Sequence, residues 1–232
     1  LFSGVRRHLG TLMAIPVIAI DGPSASGKGT VAQRVADRLG FHYLDSGALY
    51  RLVGLAARKA GVATSDEAAV SALAAVLDAR FERGNIYLGQ EVVTDTLRSE
   101  QAGAAASEVA ALPAVRAALL QRQRDYRQAP GLVADGRDMG SVVFPDAVLK
   151  IFLTASAEER AQRRYKQLIG KGMGANMAAL LQDIRARDER DSQRSAAPLQ
   201  KTEDAILLDT THLTIDAAVE TVLAHYQAVK KL

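Results

Sequence analysis

A glycine-rich loop, set between a short apolar run and a helical pattern, constrains the fold of this chain more than any other feature. Residues 17–20 are apolar and rich in β-branched side chains, which predicts a strand buried on both faces. Residues 28–39 carry apolar side chains at helical spacing, and Gly40 ends that pattern as a C-cap glycine. The combination predicts a strand, a tight turn and a helix in immediate succession, as in parallel α/β sheets.

The loop itself matches the pattern of loops that bind nucleotide phosphates. It consists of Gly22, Pro23, Ser24, Ala25, Ser26, Gly27, Lys28, Gly29 and Thr30. The pattern G-x-x-x-x-G-K-[ST] is shifted here, because Gly29 takes the hydroxyl position and Thr30 follows it. Backbone N–H groups in such a loop turn toward a polyphosphate, and Lys28 adds a mobile charge. The loop predicts a nucleoside triphosphate as ligand; the alternative is a glycine-rich turn that binds nothing.

The rest of the chain continues the alternation of strands and helices. Further strands are predicted at 41–44, 132–134, 148–153 and 205–208. Helices are predicted from about 49 to 60, from a capping box at Ser156 and Glu159 to about 169, and from a cap at Thr214 to about 230. Five apolar strands alternating with helices predict a five-stranded parallel sheet between two helical layers, the three-layer αβα fold of P-loop NTPases.

Two long stretches interrupt this alternation. The first covers about 62–125 and contains a predicted hairpin at 86–92, and the second covers about 170–195 and begins with three glycines in 170–174. Both exceed the usual βα connection of about 2 to 6 residues. They are expected to be substrate-binding or lid segments; disordered loops are the alternative.

Composition excludes several classes of protein. The chain has 232 residues and no cysteine, so it can have no disulfide framework, thiol nucleophile or cysteine zinc site, and we expect a cytoplasmic location. No apolar run approaches the roughly 18 residues of a membrane span. The first long apolar run ends in Asp21 and Gly22, unlike a signal peptide. We expect residues 1–12 to be a leader or disordered terminus and residues 13–232 to form a single domain.

The net charge of +3 first suggests nucleic acid as a partner. Residues 1–12, however, contain Arg6 and Arg7 and no acidic residue. The rest of the chain has 27 basic and 26 acidic residues. The remainder is nearly neutral, which favours mononucleotide phosphates over nucleic acid as the reason for the arginines.

Phosphoryl transfer between two nucleotides brings two polyanions together, so its site needs arginines from several parts of the chain. The candidates are Arg51, Arg116, Arg137, Arg163, Arg164, Arg187 and Arg194. For each one the alternative is a solvated position on a helix.

Two segments carry more information than a lone arginine. The first follows the predicted strand 132–134. There, Asp135 is expected either to orient magnesium or to hold Arg137. Asp138 is expected either to accept a hydrogen bond from an exocyclic amino group or to pair with an arginine. An internal network of salt bridges is the alternative. In 185–194, Arg187 and Asp191 form an attractive i, i+4 pair, whereas Arg190 and Arg194 repel each other. The repulsive pair indicates an anionic partner; a solvated helix is the alternative.

Five segments, in this order, closely resemble the bacterial cytidylate kinases. They are IDGPSASGKGT at 20–30, LDSGALYR at 44–51, ASEVAALPAVR at 106–116, ADGRDMGSVVFPDA at 134–147 and RDERDSQR at 187–194. The resemblance covers about residues 15–230. It implies that the insertion at about 62–125 is a subdomain that binds the nucleoside monophosphate, and that about 163–195 form a short lid.

The resemblance also implies the roles of individual residues. The loop 22–30 would bind ATP, with Arg163 as a further candidate. The residues that match the CMP site are Ser46, Arg51, Ser107, Arg116, Arg137, Asp138, Arg187, Asp191 and Arg194. Ser107, Arg116 and Asp138 would read the pyrimidine edge, Asp191 would serve the ribose and the other arginines mostly the phosphate. Lys28, Arg137 and Arg187 are the catalytic candidates.

The reaction implied is transfer of a phosphoryl group from ATP to CMP or dCMP, with Mg²⁺ bridging the donor phosphates and its protein ligands left open. A monomer without nucleic-acid or membrane partners is expected. One rival is a related kinase acting on UMP or another small acceptor. A second is a non-enzymatic nucleotide-binding or nucleic-acid-binding module, which 5% aromatic residues and no tryptophan disfavour.

Overall fold

The computed structural model describes residues 15–82 and 84–231. The strands are β1 (Val17–Asp21), β2 (His42–Asp45), β3 (Ala79–Glu82), β4 (Asn85–Leu88), β5 (Glu91–Val92), β6 (Leu132–Gly136), β7 (Leu149–Thr154) and β8 (Ile206–Asp209). The helices are α1 (Lys28–Leu39), α2 (Ser46–Lys59), α3 (Glu67–Ala75), α4 (Thr94–Leu97), α5 (Glu100–Val109), α6 (Pro113–Arg124), α7 (Ala157–Gly170), α8 (Met177–Gln193) and α9 (Ile215–Lys230). A π-helical turn, Met139–Val143, follows β6.

The central sheet has five parallel strands in the order β2-β6-β1-β7-β8. The predicted sheet is therefore confirmed, with strand ends that differ by one or two residues. In its register, Asp21 lies beside Gly136 of β6 and Phe152 of β7. The loops that follow β1, β2 and β6 consequently leave the sheet at one edge, where ligands bind in open α/β sheets.

Helices cover both faces of the sheet. Along β1, Val17 and Ala19 face a cluster that includes residues of α2, α5 and α6, whereas Ile18 and Ile20 face a cluster with α1 and α9. Successive side chains of a strand point to opposite faces, so a strand buried on both faces must be apolar throughout. The three-layer αβα architecture is thereby confirmed.

The predicted capping box of α7 is half formed. The Ser156 hydroxyl accepts from the Glu159 N–H at 3.2 Å, as predicted. The second half of the prediction is wrong, because the Ser156 N–H donates to the Thr211 hydroxyl at 3.0 Å and the Glu159 carboxylate accepts from Arg163 Nε at 2.9 Å. Thr214 caps α9 as predicted.

Between α2 and β6 the chain forms α3, a small antiparallel sheet and α4 to α6. The predicted hairpin at 86–92 is present as β4 and β5, and β3 adds a third strand to it. Helix α5 packs closely on α2, since a Cβ built on Gly54 would lie 2.9 Å from Ala105 Cβ. This packing brings two helices with candidate acceptor residues together.

The expected leader, residues 1–12, lies outside the described residues. Within 15–82 and 84–231, no single helix combines the length and apolar character needed to cross a bilayer. Helices α5 and α6 meet that criterion only when taken together, and they are bent by 103° relative to each other.

Candidate nucleotide-binding site

The phosphate loop is a closed turn between β1 and α1. Gly27 adopts a left-handed conformation with φ of 88° as the N-cap of α1, and Lys28 is the first helical residue. The Ser26 hydroxyl donates to Pro23 O at 3.0 Å, and Lys28 Nζ donates to the same carbonyl at 3.2 Å. A Cβ on Gly22 would lie 2.0 Å from the backbone oxygen of β7 at position 153, so only glycine fits there. The loop thus presents its N–H groups and Lys28 at the positive end of α1.

A side chain at position 29 of the loop would lie close to Asp135. A Cβ on Gly29 would lie 3.1 Å from Asp135 Oδ2. Asp135 lies 3.8 Å from Lys28 Nζ and accepts from the Tyr43 hydroxyl at 3.3 Å. Burial, together with the charge of Arg137, lowers the pKa of Lys28 to about 8, and burial raises the pKa of Asp135 to about 6. A carboxylate and a lysine therefore face each other beside the loop.

Helix α7 holds the loop from the other side. Arg163 Nη1 donates to Ser26 O at 3.1 Å, and Arg160 Nη1 donates to Ser24 O at 3.2 Å. Arg160 is buried and also binds Asp188 of α8 through two bonds of 3.0 and 2.5 Å. Arg160 is not among the candidates predicted from the sequence. Its position three residues before Arg163, on the same face of a helix, is the signal that could have identified it.

The predicted acceptor residues come from four parts of the fold. Ser46 and Arg51 lie on α2, Ser107 on α5, Arg116 on α6, Arg137 and Asp138 directly after β6, Arg187 and Asp191 on α8, and Arg194 at the C-cap of α8. A Cβ on Gly103 would lie 3.3 Å from Arg187 Nη1 and 3.7 Å from Arg51 Nη2, so these two guanidinium groups converge on α5. The Ser46 hydroxyl instead donates to the buried Gln123 Oε1 at 2.6 Å. Arg164, another of the arginine candidates, binds Glu100.

Asp138 pairs with an arginine, which is one of the two outcomes expected for it. Its Oδ2 accepts a hydrogen bond from Arg116 Nη2, and Arg116 Nη1 donates to Ala110 O at 3.0 Å. The Arg116 guanidinium also lies over the Tyr50 ring, 5.4 Å from its centroid. Arg116 and Asp138 therefore form a fixed donor and acceptor pair at one end of the site.

Asp191 pairs with Arg137, at 2.8 Å from Nε to Oδ2. This contact corrects one expectation, because the attractive pair predicted between Arg187 and Asp191 is absent from the ion pairs within the described part of the chain. Of the two roles considered for Asp135, holding Arg137 is not observed among those ion pairs, where Asp135 pairs with Lys28 instead. Burial opposes ionisation of Asp191, but Arg137 and Arg187 still hold its pKa below the ordinary value.

The acceptor side also contains buried polar atoms that have no protein partner. Among the described residues these atoms are Tyr50 Oη, Ser107 Oγ, Arg187 Nε and Arg194 Nη2. Buried polar groups are almost always hydrogen-bonded, so such a group of unpaired atoms points to a polar ligand. Tyr50 was missed by the sequence analysis; its place four residues after Ser46 on α2 could have indicated it.

Arg187 lies among other arginine charges on the acceptor side. Burial and the nearby charges of Arg137 and Arg51 lower its pKa to about 10. Several arginine charges are thus held close together, which fits a polyanionic ligand between them.

Comparisons with known proteins agree with this geometry. The family model described as cytidylate kinase matches residues 18–228. A cytidylate kinase of Chromobacterium violaceum is 63% identical over 215 residues, which cover 93% of this chain and 97% of that protein, and one of Pseudomonas aeruginosa is 62% identical over 218 residues, which cover 91% and 95%. An uncharacterized protein of Eubacterium ventriosum, 12% identical with a TM-score of 0.51, matches 92% of this chain and 98% of its own, and so shares the fold. The chain belongs to the cytidylate kinase family.

Proposed function

We propose that this protein transfers the γ-phosphoryl group of ATP directly to CMP or dCMP, giving ADP and CDP or dCDP. The observation that carries the proposal is the acceptor side, where arginine charges and unpaired buried polar atoms converge near the phosphate loop. The names of the relatives, cytidylate kinases at about 60% identity, support the same acceptor. No covalent intermediate on the protein is needed, since in-line transfer between bound nucleotides requires only positioning and charge stabilisation.

On the donor side, the N–H groups of residues 27–30 and Lys28 bind the triphosphate and stabilise the group in transfer. Arg163 and Arg160 hold two carbonyl groups of the same loop and so keep its N–H groups turned inward. Arg163 would therefore support ATP binding in two ways, through the shape of the loop and through its own positive charge.

On the acceptor side, Ser107, Arg116 and Asp138 read the pyrimidine edge. Asp191 serves the ribose, and the acceptor phosphate is bound mostly by Arg51, Arg137, Arg187 and Arg194. Ser46, whose hydroxyl donates to Gln123, is a further candidate for contact with CMP. The unpaired Ser107 hydroxyl and the fixed pair of Arg116 and Asp138 supply both donors and acceptors, as recognition of a base edge requires. Arg137 and Arg187 clamp the charge between the two nucleotides.

Mg²⁺ with ATP belongs to the proposal, and it would neutralise charge on the donor phosphates. No group of three acidic or histidine side chains suited to a metal occurs among residues 15–82 and 84–231. This fits Mg²⁺, which commonly uses one or two carboxylates together with waters and phosphates. Asp135, beside Lys28, is the carboxylate that would hold it.

We also propose that residues of about 163–195 act as a lid and those of about 62–125 as the subdomain for the monophosphate. The bonds from Arg160 to Asp188 connect α8 to the phosphate loop, so a movement of α8 is linked to the loop. Closure about the glycines at 170–174 would exclude water from the reaction.

A panel of acceptors tests the proposal. With ATP and Mg²⁺, we expect ADP release with CMP and dCMP. Release should be slower with UMP, because Asp138 and Ser107 suit an amino group that uracil lacks, and with AMP, because its purine is larger than the pyrimidine that the site is proposed to bind. Arg51→Met should raise the KM for CMP about tenfold or more, as loss of a charged hydrogen bond does. Arg58→Met, on the exposed part of the same helix, serves as the matched control. A preference for UMP or AMP would contradict the assignment of the acceptor.

A further inference from the structure

Asp21 belongs to the donor side by sequence but contacts the acceptor side. It is the last residue of β1, directly before the phosphate loop, and only 8% of it is exposed. Its Oδ1 accepts a hydrogen bond from the Met139 N–H, and its Oδ2 accepts one from the Gly140 N–H, each with an N-to-O distance of 2.8 Å. Among the described residues, its carboxylate has no hydrogen bond to the phosphate loop.

These two N–H groups belong to the first two residues of the π-helical turn that follows Asp138. At the start of a helical turn, the first N–H groups have no partner within the turn. Later in this turn, the N–H groups of Val142 and Val143 bond to Asp138 O at 2.9 and 3.1 Å. Asp21 therefore acts as a cap supplied from another strand, and it fixes the backbone immediately after Asp138.

Fixing this backbone also fixes the direction of the Asp138 side chain. Asp138 has its ion pair with Arg116 and makes no side-chain cap to its own turn. If the turn were released from β1, the pair of Asp138 and Arg116 could move away from the position of the base. The charged groups near Asp21 are those of Arg137, Asp135 and Asp138, and all three lie at the same edge of the sheet.

We propose that Asp21 is a positioning residue that sets base selectivity through Asp138. This inference rests on the proposed function, in which Asp138 reads the pyrimidine edge. It assigns to the end of β1 a role in choosing the acceptor, although the adjacent loop binds the donor.

The test replaces Asp21 by Asn, which keeps the size but turns an N–H donor toward one of the two N–H groups. We expect the ratio of kcat/KM for CMP to that for UMP to fall about tenfold, on the scale of one hydrogen bond. The KM for ATP should stay within about twofold, because no loop contact is lost. Assays at pH 8 keep the carboxylate ionised, since burial raises the pKa of Asp21 to about 7.

A double-mutant cycle with Asp138→Ala decides how Asp21 acts. If it acts through Asp138, Asp21→Asn changes the CMP to UMP ratio no further in the Asp138→Ala background. Equal losses with CMP and UMP, a raised KM for ATP, or additive effects in the cycle would overturn the proposal. A wild-type protein that does not phosphorylate CMP would instead defeat the proposed function.

Two further variants complete this test, one as a control and one as an alternative to Asp21→Asn. Asp216→Asn changes an exposed carboxylate of α9 that pairs with Arg34 at 2.5 Å and belongs to neither the candidate site nor the proposed subdomain and lid, and it should leave the ratio unchanged. If Asp21→Asn does not fold, Asp21→Ser removes the paired acceptors without adding an opposing N–H group. An unchanged ratio in a folded Asp21→Ser protein would overturn the proposal in the same way.

Discussion

Replacing Lys28 by Met should lower kcat by about two to three orders of magnitude while the protein stays folded. Lys28 Nζ is held beside the loop by Pro23 O at 3.2 Å, where the donor phosphates gain charge during transfer. Burial disfavours the charged form of Lys28, but its loss leaves the buried Asp135 carboxylate without its partner, so we expect a folded protein with a lower unfolding midpoint. The effect is measured as steady-state ADP release with ATP, Mg²⁺ and CMP, together with the thermal unfolding midpoint.

Lys59→Met is the matched control for Lys28. Lys59 lies at the exposed end of α2, where it pairs with Glu91 at 2.5 Å, and exposed pairs contribute little to stability. Its removal should leave kcat unchanged. Near-normal turnover of the Lys28→Met variant would reject the role assigned to the phosphate loop.

Arg187→Met is expected to lower kcat about a hundredfold without lowering the thermal midpoint of the ligand-free protein. Burial and the like charges of Arg137 and Arg51 disfavour the ionised guanidinium in the fold. The lowered pKa means that the charged form of Arg187 is less favourable in the folded protein than in the unfolded chain. A neutral side chain therefore removes a repulsion from the free protein but also removes a clamp on the transferring group.

The combination of slow turnover and unchanged or raised thermal midpoint distinguishes a catalytic from a structural arginine. Arg185→Met, two residues earlier on α8 and exposed beside Glu158, should change neither quantity. A lower midpoint with normal turnover in Arg187→Met would show that Arg187 supports the fold instead.

The strands of the central sheet could be predicted because buried parallel strands are continuous apolar runs. Their carboxyl ends were predicted too short for a physical reason. β1 continues to Asp21, β2 to Asp45 and β8 to Asp209, so the pairing extends into acidic residues at the edge where the site lies. An apolar pattern stops before such residues, although the backbone ladder does not.

Outside the central sheet, local sequence carried less information. β3 was not predicted, since Arg80 and Glu82 are exposed and the strand has no apolar run. The start of α2 was placed at about 49 instead of at Ser46. Its true start follows from the Asp45 side chain, which accepts from the Ala48 N–H at 3.0 Å. A cap of this kind was recognised at Thr214 but not here.

The residues of the candidate site could be named from motifs, but their pairing could not. Asp191 pairs with Arg137, 54 positions away, and not with Arg187 on its own helix. Asp21 binds N–H groups 118 and 119 positions away. Such contacts depend on which strands are neighbours in the sheet, and helical spacing alone does not contain that information.

The most direct test of the proposed reaction follows the phosphoryl group itself. The protein is mixed with Mg²⁺, CMP and ATP labelled in the γ-phosphoryl group, and the products are separated. We predict that the label appears in CDP in proportion to the ADP formed, with none on the protein. Label found only in inorganic phosphate or on the protein, or ADP formation that does not depend on CMP, would contradict direct transfer to the nucleotide.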